Sequence, residues 1–268
     1  MMLPPPIADV TNCFLEEVDS RLPDRLTGLF LHGSICWGEF FSGSDIDFVG
    51  LWDGLPTGSD LDLLQAAHES TKRRLDVPTF DGFHCTAADL AASPAQIPHR
   101  PVFYRDAFDP EGTIDINLVT WHELAERPVV IRGQVPPVYT NLDELIGFTR
   151  TNLDTYWRGA IKQVEEAGIK AFGEHDDSIA WVGLGPARLH HLIITRELTS
   201  KSGAGRYVGE SPDLRWNKIG REALRLREDP GSPSLYDDLA QRGRDTYDLL
   251  MWLVQDGTGQ SGQRTDPD

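Results

Sequence analysis

Basic residues, cysteines and long apolar runs are all scarce in this chain. Lys and Arg number 25 against 42 Asp and Glu, a formal net charge of −17. A surface of that sign repels nucleic-acid backbones over a Debye length of roughly 10 Å, so duplex DNA and bulk RNA are poor partners. The cysteines are three, Cys13, Cys36 and Cys85, scattered and in no zinc-like spacing. That argues against a disulfide framework and against a thiolate metal site. No apolar run approaches the roughly 18 residues a bilayer span needs. The start "MMLPPPIADV" has neither the basic region nor the apolar stretch of a secretory signal. A reduced, cytoplasmic protein with no membrane partner is the expectation.

What the chain does have is acid and enough length for a real core. Its 268 residues suit one large domain or two modest ones. An acidic cleft focuses its field on positive ligands, which favours a cationic small-molecule partner; the alternative is that the charge serves solubility. The first half alternates element types. Strands are expected at 28–32, 45–51, 79–86 and 113–120, a helix at 60–75, and a loop in the proline-rich "AASPAQIPHRP". The paired prolines of "RGQVPPVYTNLDEL" mark a boundary, and Asn141 followed by Glu144 has the spacing of a capping box. Apolar residues then recur at helical intervals, starting a long helix, with further helices at 178–199, 216–227 and 234–255. The organisation expected is an α/β domain over 1–138, a helical bundle over 139–257, and an unfolded polar tail over 258–268.

Asp45 and Asp47 stand one residue apart inside the apolar run "LFLHGSICWGEFFSGSDIDFVGLW". On a strand their carboxylates share one face, roughly 7 Å apart. Such a pair is costly unless a cation lies beside it, and a divalent metal is the usual solution. Gly33 and Ser34 follow the preceding strand, where a glycine lets the backbone approach a ligand and exposed N–H groups suit phosphate oxygens. Ser44 arrives with the two aspartates from the turn "FSGSDID". A phosphate cradle beside closely spaced carboxylates is what nucleotidyl transfer from a nucleoside triphosphate requires, and Mg²⁺ suits such ligands.

The stretch "LHGSICWGEFFSGSDIDFVGL" resembles the signature of the DNA polymerase β-type nucleotidyltransferase superfamily. Three others, "GTIDINLVTWHELAER", "DTYW" and the region from "LGPARLHHL" to "SKSGAGRY", resemble the bacterial streptomycin and spectinomycin adenylyltransferases. Together they cover about 30–207. The resemblance implies an α/β nucleotidyltransferase domain with a small mixed sheet, followed by an all-α domain that closes over ATP-Mg²⁺ and helps hold the acceptor. It implies an enzyme that moves AMP from ATP to a hydroxyl of an aminoglycoside or aminocyclitol antibiotic, releasing pyrophosphate, and so confers resistance; a monomer is the expected state. Asp45 and Asp47 would bind Mg²⁺; Gly33, Ser34 and Ser44 would hold the triphosphate. Lys201 and Arg188 match basic positions of the helical domain, and Lys201 would neutralise phosphate.

By the same resemblance Asp81, in "TFDGFHC", falls where the family has the acid that deprotonates the acceptor; otherwise it is a strand-end acid beside Gly82. Asp115, in "TIDINLV", competes for the role, either completing the metal triad or lying on the polar face of a half-covered strand. Tyr156 and Trp157 are expected in the helix core. His190 and His191, adjacent on a helix, face different ways and cannot share a metal. His190 stands where the family has a substrate-stacking Trp, and no acid lies between Ser200 and Tyr207. Acids elsewhere in that domain, among them Glu174, Asp176, Asp177 and Glu197, are candidates to meet a cation instead. Because buried pairing groups decide which substrate is accepted, a different acceptor (a natural-product intermediate, a protein side chain or a tRNA end) is the alternative, as is a non-catalytic nucleotide-binding module.

Overall fold

Helix α1 (Pro5–Arg21) starts inside a run of three prolines, because proline fits a first helical turn whose N–H groups have no partner anyway. The structure, a computed structural model, describes residues 3–41, 43–75 and 79–259. Two compact units make it up, Met1–Asn141 and Leu142–Asp268. The tail expected over 258–268 lies, from residue 260 onward, outside the described residues.

In the first unit α1 is followed by β1 (Leu26–His32), a 3-10 turn (Gly33–Trp37), β2 (Ile46–Trp52), α2 (Ser59–Arg74), β3 (Phe80–Thr86) and α3 (Ala87–Ala91). Then come β4 (Arg100–Tyr104), β5 (Ala107–Gly112), α4 (Leu118–Glu126) and β6 (Val129–Arg132). They form one mixed sheet of order β5-β4-β3-β2-β1-β6. Only β2 and β3 pair in parallel, and α2 is the crossover that such a pairing requires. One face packs Leu29, Leu31, Ile46, Phe48, Trp52 and Phe80 with α1 and α2. The opposite face packs Phe30, Val49, Leu51, Phe83 and Cys85 against Trp121 and Leu124 of α4. Both faces being covered explains why β1 and β2 read as continuous apolar runs. All three cysteines are free and buried.

The strand expected at 113–120 does not form. The chain turns at Asp115, whose φ is +61°, and Asn117 caps α4 by accepting from the N–H groups of Val119 and Thr120. The alternation of Ile114, Ile116 and Leu118 is a coincidence of a turn entering a helix. The proline-rich loop is interrupted by a 3-10 turn (Pro94–Gln96) and ends earlier than expected, because β4 begins at Arg100.

The second unit is helical throughout its described elements. They are α5 (Leu142–Asn152), a π-helical turn (Leu153–Trp157), α6 (Arg158–Ala167), α7 (Ile169–Phe172), α8 (Asp176–Thr195), α9 (Lys201–Gly209), α10 (Asn217–Glu228) and α11 (Leu239–Gly257). Leu153, Trp157, Ile179, Val182, Ile219, Leu249 and Leu253 are among its core residues. Tyr156 departs from the expectation: it is 55% exposed, because the π-helical turn aims Trp157 inward and its neighbour outward. Within this core Glu222 is fully buried and accepts from Arg225 at 2.9 Å, Arg242 at 3.1 Å and Ser234 at 2.7 Å, which holds its carboxyl at about 2 despite burial.

Gly82 sets the spacing of the two strands that carry Asp47 and Asp81. A Cβ there would overlap the backbone carbonyl of Phe48 on β2, so only glycine lets β3 lie this close. Gly82→Ala is expected to destabilise the full-length protein by about 1–3 kcal/mol, the usual range for overpacking, as measured by chemical denaturation.

Candidate functional site

Three adjacent strands bring their polar residues to one end of the α4 face of the sheet. His32 ends β1 and pairs in register with Asp47 near the start of β2. Asp47 in turn pairs in register with Asp81 on β3. Side chains of directly paired residues project to the same side, so His32, Asp47 and Asp81 form a polar row at the edge of an apolar layer. Asp45 precedes β2 and is exposed; Asp115 is half-buried in the turn before α4.

The row is crowded with negative charge. Burial, reinforced by Asp45, Asp115 and Glu123 and opposed by His32, pushes the Asp47 carboxyl up to about 7. Burial also raises Asp81 to about 6, against the hydrogen bond it accepts from the Arg105 N–H and with the help of Asp45 and Asp115. Asp115 is raised by burial and by Asp45 and Glu123. His32 is the compensating cation. Burial disfavours its charged form, yet its contact with Glu123 and the proximity of Asp47 raise it to about 9.

Asp81 is also anchored. Its Oδ1 accepts the backbone N–H of Arg105 at 3.0 Å, at the two-residue turn joining β4 and β5. Arg105 and Asp106 both have left-handed φ, +48° and +64°, the signature of a type I′ hairpin turn. The acid is therefore 4% exposed and fixed in orientation, rather than swinging freely at a strand end.

Gly33 opens the 3-10 turn with φ +65°, and its Cα lies against the Asp47 carboxylate so closely that a Cβ would overlap Oδ2. Ser34, next in the turn, has a buried hydroxyl with no hydrogen-bond partner, and His32 Nε2 is likewise buried and unpaired. Unpaired buried polar atoms are rare enough to need a reason, and here they flank one turn. Ser44 is committed locally: its hydroxyl accepts the Phe41 N–H at 3.0 Å, and its own N–H donates to the Phe41 carbonyl at 3.0 Å. Gly33, Ser34, Asp45, Asp47 and Asp81 are thus gathered on β1, β2, β3 and the segments entering them, with Ser44 holding the turn that feeds β2.

Lys201 belongs to the second unit, where it is exposed and opens α9 behind the Ser200 cap. Arg188 is half-buried on α8. His190 is 2% exposed, with Nδ1 2.9 Å from the Tyr207 hydroxyl and Nε2 3.0 Å from Asp256. His191 lies 3.0 Å from the Glu197 carbonyl, and both histidines pack against the Tyr207 ring.

Sequence reasoning passed over His32 and Glu123. Glu123 is 4% exposed, its Oε2 accepting the Gly33 N–H at 3.0 Å and lying 3.4 Å from His32 Nδ1. The signal was present in "LVTWHELAE", where Leu118, Trp121 and Leu124 recur at helical spacing with a glutamate beside the apolar stripe. Reading the preceding residues as a strand hid it.

The fold is similar to that of spectinomycin adenyltransferase from Enterococcus faecialis, solved with ATP and spectinomycin. The TM-score is 0.64 at 12% identity, over 91% of this chain and 99% of that one. At that identity the likeness shows the fold alone: a mixed sheet with helices, followed by a helical region. No family model and no curated protein matches the chain. Among the described residues no helix is long and apolar enough to cross a membrane.

The contact between Gly33 and Asp47 yields a direct test. Gly33→Ala combines a left-handed φ with a clash and is expected to lower stability by about 2 kcal/mol in chemical denaturation. Gly54→Ala, where an added Cβ meets nothing, should stay within about 0.5 kcal/mol of the parent.

Proposed function

We propose that this protein is a nucleotidyltransferase that moves AMP from ATP to a hydroxyl of a cationic small molecule of aminoglycoside or aminocyclitol type, releasing pyrophosphate. The observation that carries the reading is the in-register pair Asp47 and Asp81 beside a Gly-Ser turn whose serine hydroxyl is buried and unpaired. The net charge of −17 supports a cationic acceptor, since it draws positive ligands toward an acidic cleft. The three free, buried cysteines suit a reducing cytoplasm.

The residues fit Mg²⁺ and a triphosphate. The donors are carboxylate oxygens, the hard ligands Mg²⁺ takes, and the crowding of acids around Asp47 is the setting a dication relieves. Among the described residues no three His, Cys, Asp or Glu side chains form a group that could hold a metal ion by themselves. Asp45 and Asp47 would hold the ion, with phosphate and water completing its shell. Mg²⁺ bound there would neutralise charge on the triphosphate. The Ser34 hydroxyl would donate to a phosphate oxygen, and Gly33 would let the backbone come close. Asp81, its Oδ1 held by Arg105, would accept the proton of the acceptor hydroxyl as that oxygen bonds the α-phosphorus. Ser44 and Lys201 are assigned to the triphosphate on the resemblance alone, and Asp115 remains the competing third carboxylate.

One observation favours a second acceptor. His190, at the position of the family's stacking Trp, is buried with both ring nitrogens engaged, so it offers no face to a sugar. That supports transfer to a different hydroxyl-bearing molecule by the same chemistry.

A pyrophosphate-release assay with ATP, GTP, CTP and UTP against a panel of aminoglycosides and aminocyclitols tests the proposal. Release with ATP and streptomycin or spectinomycin is expected. Asp81→Asn should lower turnover by roughly 10²-fold while leaving nucleotide affinity nearly intact, as loss of a general base does. Survival of turnover in Asp81→Asn together with its loss in Asp115→Asn would transfer the role to Asp115.

A further inference from the structure

None of the chemistry above uses Glu123, yet it is the most deeply committed acid beside the site. Its Oε2 accepts the N–H of Gly33, the first residue of the 3-10 turn, at 3.0 Å. Its Oε1 accepts the indole N–H of Trp37, the last residue of that turn, at 3.5 Å. His32, immediately before the turn, lies 3.4 Å from the same carboxylate. At the C-cap of α4, the Arg127 guanidinium lies 3.9 Å above the Trp37 ring. The α4 helix thus grips both ends of the turn, Glu123 through hydrogen bonds and Arg127 through the ring face.

A carboxylate this buried is costly unless its oxygens are hydrogen-bonded. Gly33, Trp37 and His32 supply contacts from the two ends of the turn and from the residue before it, so the buried charge ties α4 to this conformation of the turn. The conformation matters to the reaction for two reasons. It leaves the Ser34 hydroxyl without an internal partner, and it presses the Gly33 Cα against the carboxylate of Asp47.

We propose that Glu123 is the positioning residue of the phosphate turn: it fixes where the Ser34 hydroxyl and the Asp47 carboxylate stand relative to one another. It touches neither nucleotide nor metal and acts through Gly33, Trp37 and His32. The inference rests on the nucleotidyl-transfer reading, because it assigns the turn to a triphosphate.

Calorimetric titration of full-length protein with Mg-ATP, paired with thermal unfolding, tests it on four forms: wild type, Glu123→Gln, Glu123→Ala and Trp37→Phe. Glu123→Ala should weaken Mg-ATP binding by about tenfold or more, as loss of an outer-shell partner does. Glu123→Gln keeps an acceptor for the Gly33 N–H and should recover most of the affinity, within about threefold of wild type; Trp37→Phe should also lose about threefold, as expected for one hydrogen bond. A purely structural Glu123 would lower the melting temperature and leave the affinity of the folded protein unchanged, and that result overturns the proposal. Should Glu123→Ala fail to fold, Trp37→Phe decides, and wild-type affinity in that variant overturns it. Failure of wild type to bind Mg-ATP brings down the nucleotidyl-transfer reading itself, and this inference with it.

Discussion

The carboxylate of Asp47 lies directly against the Cα of Gly33, and this contact between β2 and the end of β1 sets the terms for everything around it. It requires glycine at 33, because a side chain there would displace the acid. It also keeps Asp47 within a few strand spacings of His32 on one side and Asp81 on the other. The result is a row of titratable groups at the rim of an apolar layer, where water is too sparse to screen them. Burial then becomes the dominant influence on each acid, and a single buried imidazolium offsets part of the negative charge.

The apolar scaffold makes that crowding tolerable. Two cores, one on each face of the sheet, hold β1, β2 and β3 at their full length, so the polar row cannot relax by letting a strand slide. A one-residue slip would turn every apolar side chain of β2 to the wrong face. Gly82 adds a second constraint by allowing β3 to close on β2 at the level of Phe48, one residue beyond the two aspartates. The crowding of acids lies at one end of the sheet, and apolar packing covers both of its faces. Sites that bind charged ligands are commonly built this way, with local frustration held in place by a consistent surround.

Much of this was legible in the residues. The apolar runs around "GS" and "DID" gave the central strands, because both faces of β1 and β2 are covered and the pattern is unbroken. Helices α2, α8, α10 and α11 followed from helical periodicity over long segments. The edge strands were not legible. β5, "AFDPEG", is mostly exposed and contains a proline, so it carries no alternation; it exists because the Arg105-Asp106 turn folds it back on β4. α4 was lost to a chance period of two at Ile114, Ile116 and Leu118, and with it went Glu123. His32 was passed over because a histidine ending an apolar strand looks like any packed histidine until its neighbours across two strands are known.

In the proposed function, Asp45 and Asp47 act together as ligands of a cation that the nucleotide brings or completes. Calorimetric titration with ATP, once with Mg²⁺ and once with a chelator, measures it most directly, using wild type and the Asp45→Asn, Asp47→Asn double variant. Binding that depends on Mg²⁺ in the wild type and is lost in the double variant is expected. Equal affinity for ATP with and without Mg²⁺, or unchanged Mg-ATP binding in the double variant, would contradict it.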